Sequence, residues 1–185
     1  MSKTILYPFR IDTDFRVGYA WSSELARRLK ARLSLFTTFT PLPESSSEPV
    51  ADIYHALAEA QGFYVKNFQL LPLRLGPVKS ERVFVTGEFT PNFNSFLDQR
   101  IPDVIVLQSD LFSNEFMKQM IDSKYGVIVL SAYENPKAPA TKKDRSQLFI
   151  DILQHAAVYN IPASFFKIIS QDTSLFNYLA SFFKK

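Results

Sequence analysis

The sequence predicts a single-domain α/β protein, with a mainly parallel sheet and helices on both of its faces. Three observations carry that prediction. Short apolar runs alternate with amphipathic segments from the first residues to Leu130, which is the strand-helix-strand rhythm of a layered α/β architecture. Two of the runs, Asp103-Val104-Ile105-Val106-Leu107 and Gly126-Val127-Ile128-Val129-Leu130, are apolar without interruption, as expected of parallel strands buried on both faces. Finally, 46% hydrophobic and 21% charged residues in a chain of 185 supply one core of ordinary size, and two full domains would be crowded.

Each element has its own justification. Thr4-Ile5-Leu6-Tyr7-Pro8 is a short apolar run ending at proline and then a polar loop from Arg10 to Asp14, the pattern of a buried first strand reaching the sheet edge. From Phe15 to Leu29, the residues Val17, Ala20, Trp21, Leu25 and Leu29 recur at helical spacing, with Thr13 or Asp14 as the expected cap. Arg32 to Phe39 is rich in β-formers and stops at Pro41-Leu42-Pro43. A connection of this kind makes the two strands parallel with a right-handed crossover. After a polar linker from Glu44 to Pro49, the series Ile53, Leu57, Ala60, Tyr64, Phe68 marks a helix beginning at Val50. Leu70 to Lys79 reads as irregular, Arg82 to Thr86 as a third strand closed by Gly87, and Pro91 to Arg100 as a third helix with proline in its first turn. The strand of Asp103 to Leu107, a helix from Phe112 to Asp122 and the strand of Gly126 to Leu130 complete a five-stranded unit. Residues 1–133 are thus expected as the α/β domain. Residues 134–185 are expected as a helix-strand-helix extension packed on it: an exposed connector from Glu134 to Asp144, a helix reaching Asn160, a strand from Phe165 to Ile169 and a helix from Leu175 to Phe183.

Composition and charge exclude several classes of function. The net charge is only +3, and neither basic cluster predicts a nucleic-acid partner. Arg27, Arg28, Lys30 and Arg32 close a helix, where cations complement the dipole, while Lys142, Lys143 and Arg145 lie in a polar connector. The absence of cysteine removes disulfides, thiol catalysis and thiolate metal sites. No apolar run approaches the roughly 18 residues that a bilayer span requires, so no membrane partner is expected and the cytoplasm is the expected location. His55 and His155 lie in separate amphipathic segments; no metal site is expected from them, because three or four convergent ligands would be needed. No nucleophile, acid and base assemble into a catalytic set, and no catalytic residue is assigned.

A family resemblance rests on several short pieces in the right order. Thr4 to Pro8 opens the sheet; Tyr19-Ala20, Glu24-Leu25-Ala26 and Leu29 follow on the first helix, then Ala31-Arg32-Leu33-Ser34-Leu35-Phe36, Val83-Phe84-Val85-Thr86-Gly87-Glu88 and Pro102-Asp103-Val104-Ile105-Val106-Leu107. In order and spacing these resemble the universal stress proteins, a family of Rossmann-like, adenine-nucleotide-binding folds. The resemblance implies a three-layer α/β/α fold with strand order 3-2-1-4-5. It also implies how nucleotide would be held: binding members place two glycines three apart after the fourth strand and a Gly-Ser or Gly-Thr pair about ten residues later, so that main-chain N–H groups reach phosphate oxygens unobstructed. This chain has Gln108-Ser109-Asp110-Leu111 and Ile121-Asp122-Ser123 there, and no glycine between Gly87 and Gly126. The acidic residue those members carry after the first strand falls on Arg10, with Asp12 and Asp14 nearby. The chain therefore resembles the branch of the family that does not bind ATP.

The expected function is that of a non-catalytic, homodimeric binding or regulatory protein that requires no cofactor. In the family the fifth strand often pairs across the dimer, and Val127, Ile128, Val129 and Leu130 are the matching residues. The alternative is a binder of a small molecule or nucleotide such as ATP or AMP, using Arg10, Asp12, Gln108, Ser109 and Asp110 at the carboxyl edge of the sheet. An enzyme of unrelated class built on the same fold is a third reading. Phe165, Phe166, Phe176, Phe182 and Phe183 crowd the tail and are expected to meet a protein partner.

Overall fold

A computed structural model describes residues 3–40, 49–69, 78–131 and 142–161. Six strands form one sheet: β1 (Thr4–Pro8), β2 (Arg32–Phe39), β3 (Ser80–Thr86), β4 (Val104–Gln108), β5 (Gly126–Leu130) and β6 (Ala157–Tyr159). Their order is β3-β2-β1-β4-β5-β6. The first five are mutually parallel in the order the resemblance implies, and β6 is antiparallel to β5. The helices are α1 (Arg16–Leu29), α2 (Pro49–Asn67), α3 (Phe89–Gln99), α4 (Asn114–Ile121) and α5 (Lys142–Gln154).

Strand alternation sorts the core into two layers. Ile5, Tyr7, Leu33, Leu35, Val104, Val106, Ile128 and Leu130 point to the face covered by α1, α2 and α5. Leu6, Phe36, Ile105, Leu107 and Val127 point to the other, covered by α3 and α4 through Phe93, Leu97, Phe116 and Met120. This arrangement follows from right-handed crossovers. The chain steps from β1 to β2 to β3 in one direction with α1 and α2 on one face, then returns across β1 to β4, which throws α3 and α4 onto the opposite face.

The tail departs from expectation. The helix ends at Gln154, and Ala157-Val158-Tyr159 form β6, where helical spacing had extended the helix to Asn160. Tertiary pairing outweighs local periodicity: the apolar spacing is short there, Val158 and Tyr159 are β-formers, and the edge of β5 offers unpaired ladder groups that they satisfy through Val127↔Tyr159 and Val129↔Ala157. On the edge where Val127, Ile128, Val129 and Leu130 were expected to pair across a dimer, the first three lie against β6 of the same chain. Asn160, at φ 51, where asparagine is tolerated better than most residues, donates through Nδ2 to Ile121 O at 3.0 Å and Ser123 O at 3.1 Å. It thereby supplies partners for carbonyls at the end of α4.

The connector expected through Asp144 also ends early, since α5 starts at Lys142, and Arg145 donates through Nη1 to Gln69 O at 2.8 Å. Residues 142–161 share the main core. Phe149 is fully buried; its ring stacks on Trp21 at 4.9 Å, and the Trp21 indole N–H donates to Phe149 O at 3.1 Å. The expected strand of Phe165 to Ile169, the helix of Leu175 to Phe183 and the aromatic tail lie outside the described residues. No helix among the described residues is long and apolar enough to cross a membrane.

Candidate functional site

The crevice of a doubly wound sheet opens at the carboxyl ends of the two strands where the order reverses, here β1 and β4. At that place two side chains of the sheet pair with the start of α1. Gln108, the last residue of β4, is buried, and its amide is used on both sides. Oε1 accepts from Gly18 N at 3.1 Å and from the Tyr7 hydroxyl at 3.3 Å; Nε2 donates to Asp14 O at 2.9 Å and to Asp110 Oδ2 at 3.3 Å. The Tyr7 hydroxyl also reaches Phe15 O at 3.0 Å. Gly18 is required by this packing, since a Cβ at that position would lie 2.3 Å from Tyr7 Oη and 2.6 Å from Gln108 Oε1. Burial, and then the charges of Asp110 and Asp14, raise the Tyr7 phenol well above its ordinary value. It stays protonated and acts as a hydrogen-bonding strut.

At both helix N-termini beside the crevice several N–H groups are likewise taken within the chain. At α1 the cap position falls on Phe15, whose side chain makes no capping bond, and not on Thr13 or Asp14. Asp14 nonetheless accepts from Arg16 N at 3.2 Å, while its carboxylate also takes the Arg16 guanidinium at 2.7 Å. Thr13 turns back to donate to Arg10 O at 3.0 Å. At α4, Ser113 is the cap and its Oγ accepts from Phe116 N at 3.3 Å. The free N–H groups that make helix starts attractive to anions therefore already have oxygen partners at Arg16, Gly18 and Phe116.

The five residues predicted for a ligand divide into two groups. Arg10 and Asp12 line a cleft of about 460 Å³ at the carboxyl ends of β1, β2 and β3, together with Thr38, Asp52, Glu88 and Phe89. They form a bidentate pair with each other at 3.1 and 2.8 Å, and the Arg10 hydrogen bond holds the Asp12 carboxyl below its ordinary range. Gln108, Ser109 and Asp110 do not line that cleft. Gln108 is turned into the protein, whereas Ser109 and Asp110 are exposed in the turn after β4. Neither histidine stands beside Ser109 in a hydrogen-bonded pair: exposed His55 lies 3.8 Å from Glu59, and the His155 ring is engaged with Asp151 O at 2.8 Å.

Sequence reasoning did not reach the residues contributed to this cleft by β2 and the starts of α2 and α3, namely Thr38, Asp52, Glu88 and Phe89. Their signal is positional: Thr38, Glu88 and Phe89 stand at a carboxyl strand end or just after it and Asp52 in the first turn of the helix that follows β2, which becomes readable once the strand order is known. Gly87 shapes the same rim, with φ at +110, a backbone setting glycine tolerates best, and its N–H donates to Phe39 O at 3.0 Å.

No family model and no curated protein sequence matches the chain. Among solved structures it is similar to a universal stress protein in complex with cAMP, at 17% identity over 71% of this chain and 98% of that one, with a TM-score of 0.48. It is also similar to the universal stress protein from Archaeoglobus fulgidus in complex with dAMP, at 16% identity over 69% of this chain and 96% of that one, with a TM-score of 0.47.

Proposed function

We propose that the chain is a non-catalytic binding or regulatory protein of the universal-stress-protein type and that it does not bind ATP. The observation that supports this reading is the buried hydrogen-bonded packing of Gln108 and Tyr7 against Gly18 at the switch point. A triphosphate at this place would have to displace a satisfied amide and then leave its partners without hydrogen bonds, at about 1–3 kcal/mol for each buried group. It would also meet Asp110 and Asp14, whose charge repels phosphate. Titration calorimetry of the chain with ATP, AMP and cAMP tests the proposal. No saturable heat is expected at the carboxyl edge; tight uptake of ATP that is untouched by changes at the amino edge would overturn it.

A second reading is favoured by the cleft of about 460 Å³ beside Arg10 and Asp12, a size within the range of small-molecule sites. Among the described residues its lining carries one cation, Arg10, against Asp12, Asp52 and Glu88, so a neutral or cationic ligand fits its electrostatics better than a nucleotide. Saturable stabilisation in a thermal-shift series, lost on Asp52→Ala, supports that reading. A flat response across neutral polar and amine ligands argues against it.

A further inference from the structure

A second cleft, of about 400 Å³, opens at the opposite edge of the sheet, between α1, α2 and the amino ends of β2 and β3. Helical spacing builds it. Tyr19, Ser23 and Arg27 stand at successive fourth positions along α1, and Gln61, Tyr64 and Val65 share one face of α2. Arg82 enters from β3.

Two features distinguish this cleft from the one at the carboxyl edge. The first is charge: Arg27 and Arg82 line it, and no carboxylate does among the described residues. Arg27 is held from behind by Glu24 at 2.8 Å. Arg82 sits over the Tyr54 ring, its guanidinium carbon 5.5 Å from the ring centre, and has no carboxylate partner among the described residues. The second is the direction of hydrogen bonding. Tyr19 donates to Gln61 Oε1 at 2.7 Å, and Tyr64 donates to Glu24 Oε2 at 3.3 Å. Those acceptors are consumed within the wall, and the Gln61 amide group and the Arg82 guanidinium remain as donors. A ligand seated there meets donors and positive charge at its polar end, and Leu33, Val65 and Val78 along its side.

We propose that this amino-edge cleft binds a small organic anion, an apolar body carrying a carboxylate or phosphate head, with Arg82 and Gln61 holding the head. The fork of a guanidinium matches both kinds of head in bidentate geometry, and the volume lies within the range of small-molecule pockets, roughly 300–1,000 Å³. Burial next to Glu24, whose hydrogen bond raises the basicity of Arg27, keeps that cation fixed and charged; Arg82, which is exposed, is free to close on a ligand.

Titration calorimetry with phenyl phosphate and with benzoate tests the proposal, with benzyl alcohol as the neutral probe of the same body. A saturable heat from either anion is expected, weakening as salt is raised. It should fall by about tenfold or more in Arg82→Gln, the scale of one hydrogen bond to a charged group, and by less in Arg82→Lys, which keeps charge but loses the fork. Arg10→Gln, at the other edge, should leave it unchanged. Which of the two anions gives the heat assigns the head group. No saturable heat from either, equal binding of benzyl alcohol, or affinity unaltered in Arg82→Gln would overturn the proposal. Because Arg82 is exposed, its variants retain the fold. Heat from ATP that disappears in Arg82→Gln belongs to this cleft and leaves the crevice reading intact; heat that survives in Arg82→Gln contradicts that reading instead.

Discussion

The two ends of α1 solve the same problem in opposite ways. Its first turn, at the carboxyl edge, is fastened by a neutral amide: Gln108 holds Gly18 N, Tyr7 and Asp14 O without placing a formal charge in the interior. Its last turns, at the amino edge, are fastened by ions, with fully buried Glu24 between Arg27 and Arg28 and Tyr64 donating from α2. A neutral knot satisfies its members and leaves little for a ligand. An ionic one commits its acceptor inward and leaves Arg27 along the neighbouring cleft while Arg28 packs over the Phe149 ring, so the two ends of one helix present different surfaces.

The sharpest break in that comparison is Glu24→Gln. Removing the carboxylate takes a shared, fully buried acceptor from two guanidiniums whose side chains are 14% and 8% exposed, and a loss of about 3–5 kcal/mol is expected, read from the denaturant midpoint at unchanged slope. A loss below about 1 kcal/mol would mean that the arginines find water or other acceptors. Gln108→Leu should cost less, about 1–3 kcal/mol, because Gly18 N and the Tyr7 hydroxyl lose an acceptor but no charge is stranded. Gly18→Ala probes the same knot sterically, and its Cβ forces Tyr7 or Gln108 aside for about 1–3 kcal/mol; a neutral result in thermal unfolding would show that the crevice is looser than its distances indicate.

The smallest effect belongs to the exposed pairs at the α1 entrance. Hydrogen bonds from Arg10 and Arg16 lower the Asp12 and Asp14 carboxyls from 3.8, so their contribution is full above that value and disappears as the pH falls through the lowered folded one. Solvent screening keeps each pair to about 0–1 kcal/mol. Asp12→Asn and Asp14→Asn should therefore flatten the acid limb of the stability profile only slightly, and less at high salt.

Much of this contrast was present in the sequence, though unevenly. The five parallel strands fall within a residue or two of their expected positions because uninterrupted apolar runs leave few alternatives. Strand β6 was not legible: three residues lack a period, and only the waiting edge of β5 makes Ala157-Val158-Tyr159 a strand. At the crevice, the lack of glycine after β4 was readable, but not the inward turn of Gln108, because a glutamine at a strand end looks the same whether it faces a ligand or its own backbone. The Glu24 network had a visible signal in Arg27 and Arg28 at the third and fourth positions after it. Reading those arginines as partners of the helix dipole alone hid it, since periodicity does not reveal that the shared carboxylate is buried.

The short antiparallel strand has a consequence for how the chain is made. A ribosome delivers β5 well before β6, and the nascent sheet then presents the ladder groups of Val127 and Val129 to whatever extended segment is nearby. Release of Ala157 to Tyr159 ends that interval, and Asn160 latches onto the close of α4. A chain terminated after Leu130 would lose both that guard and the core that Phe149 completes against Trp21, and its open β5 edge would invite self-association during synthesis.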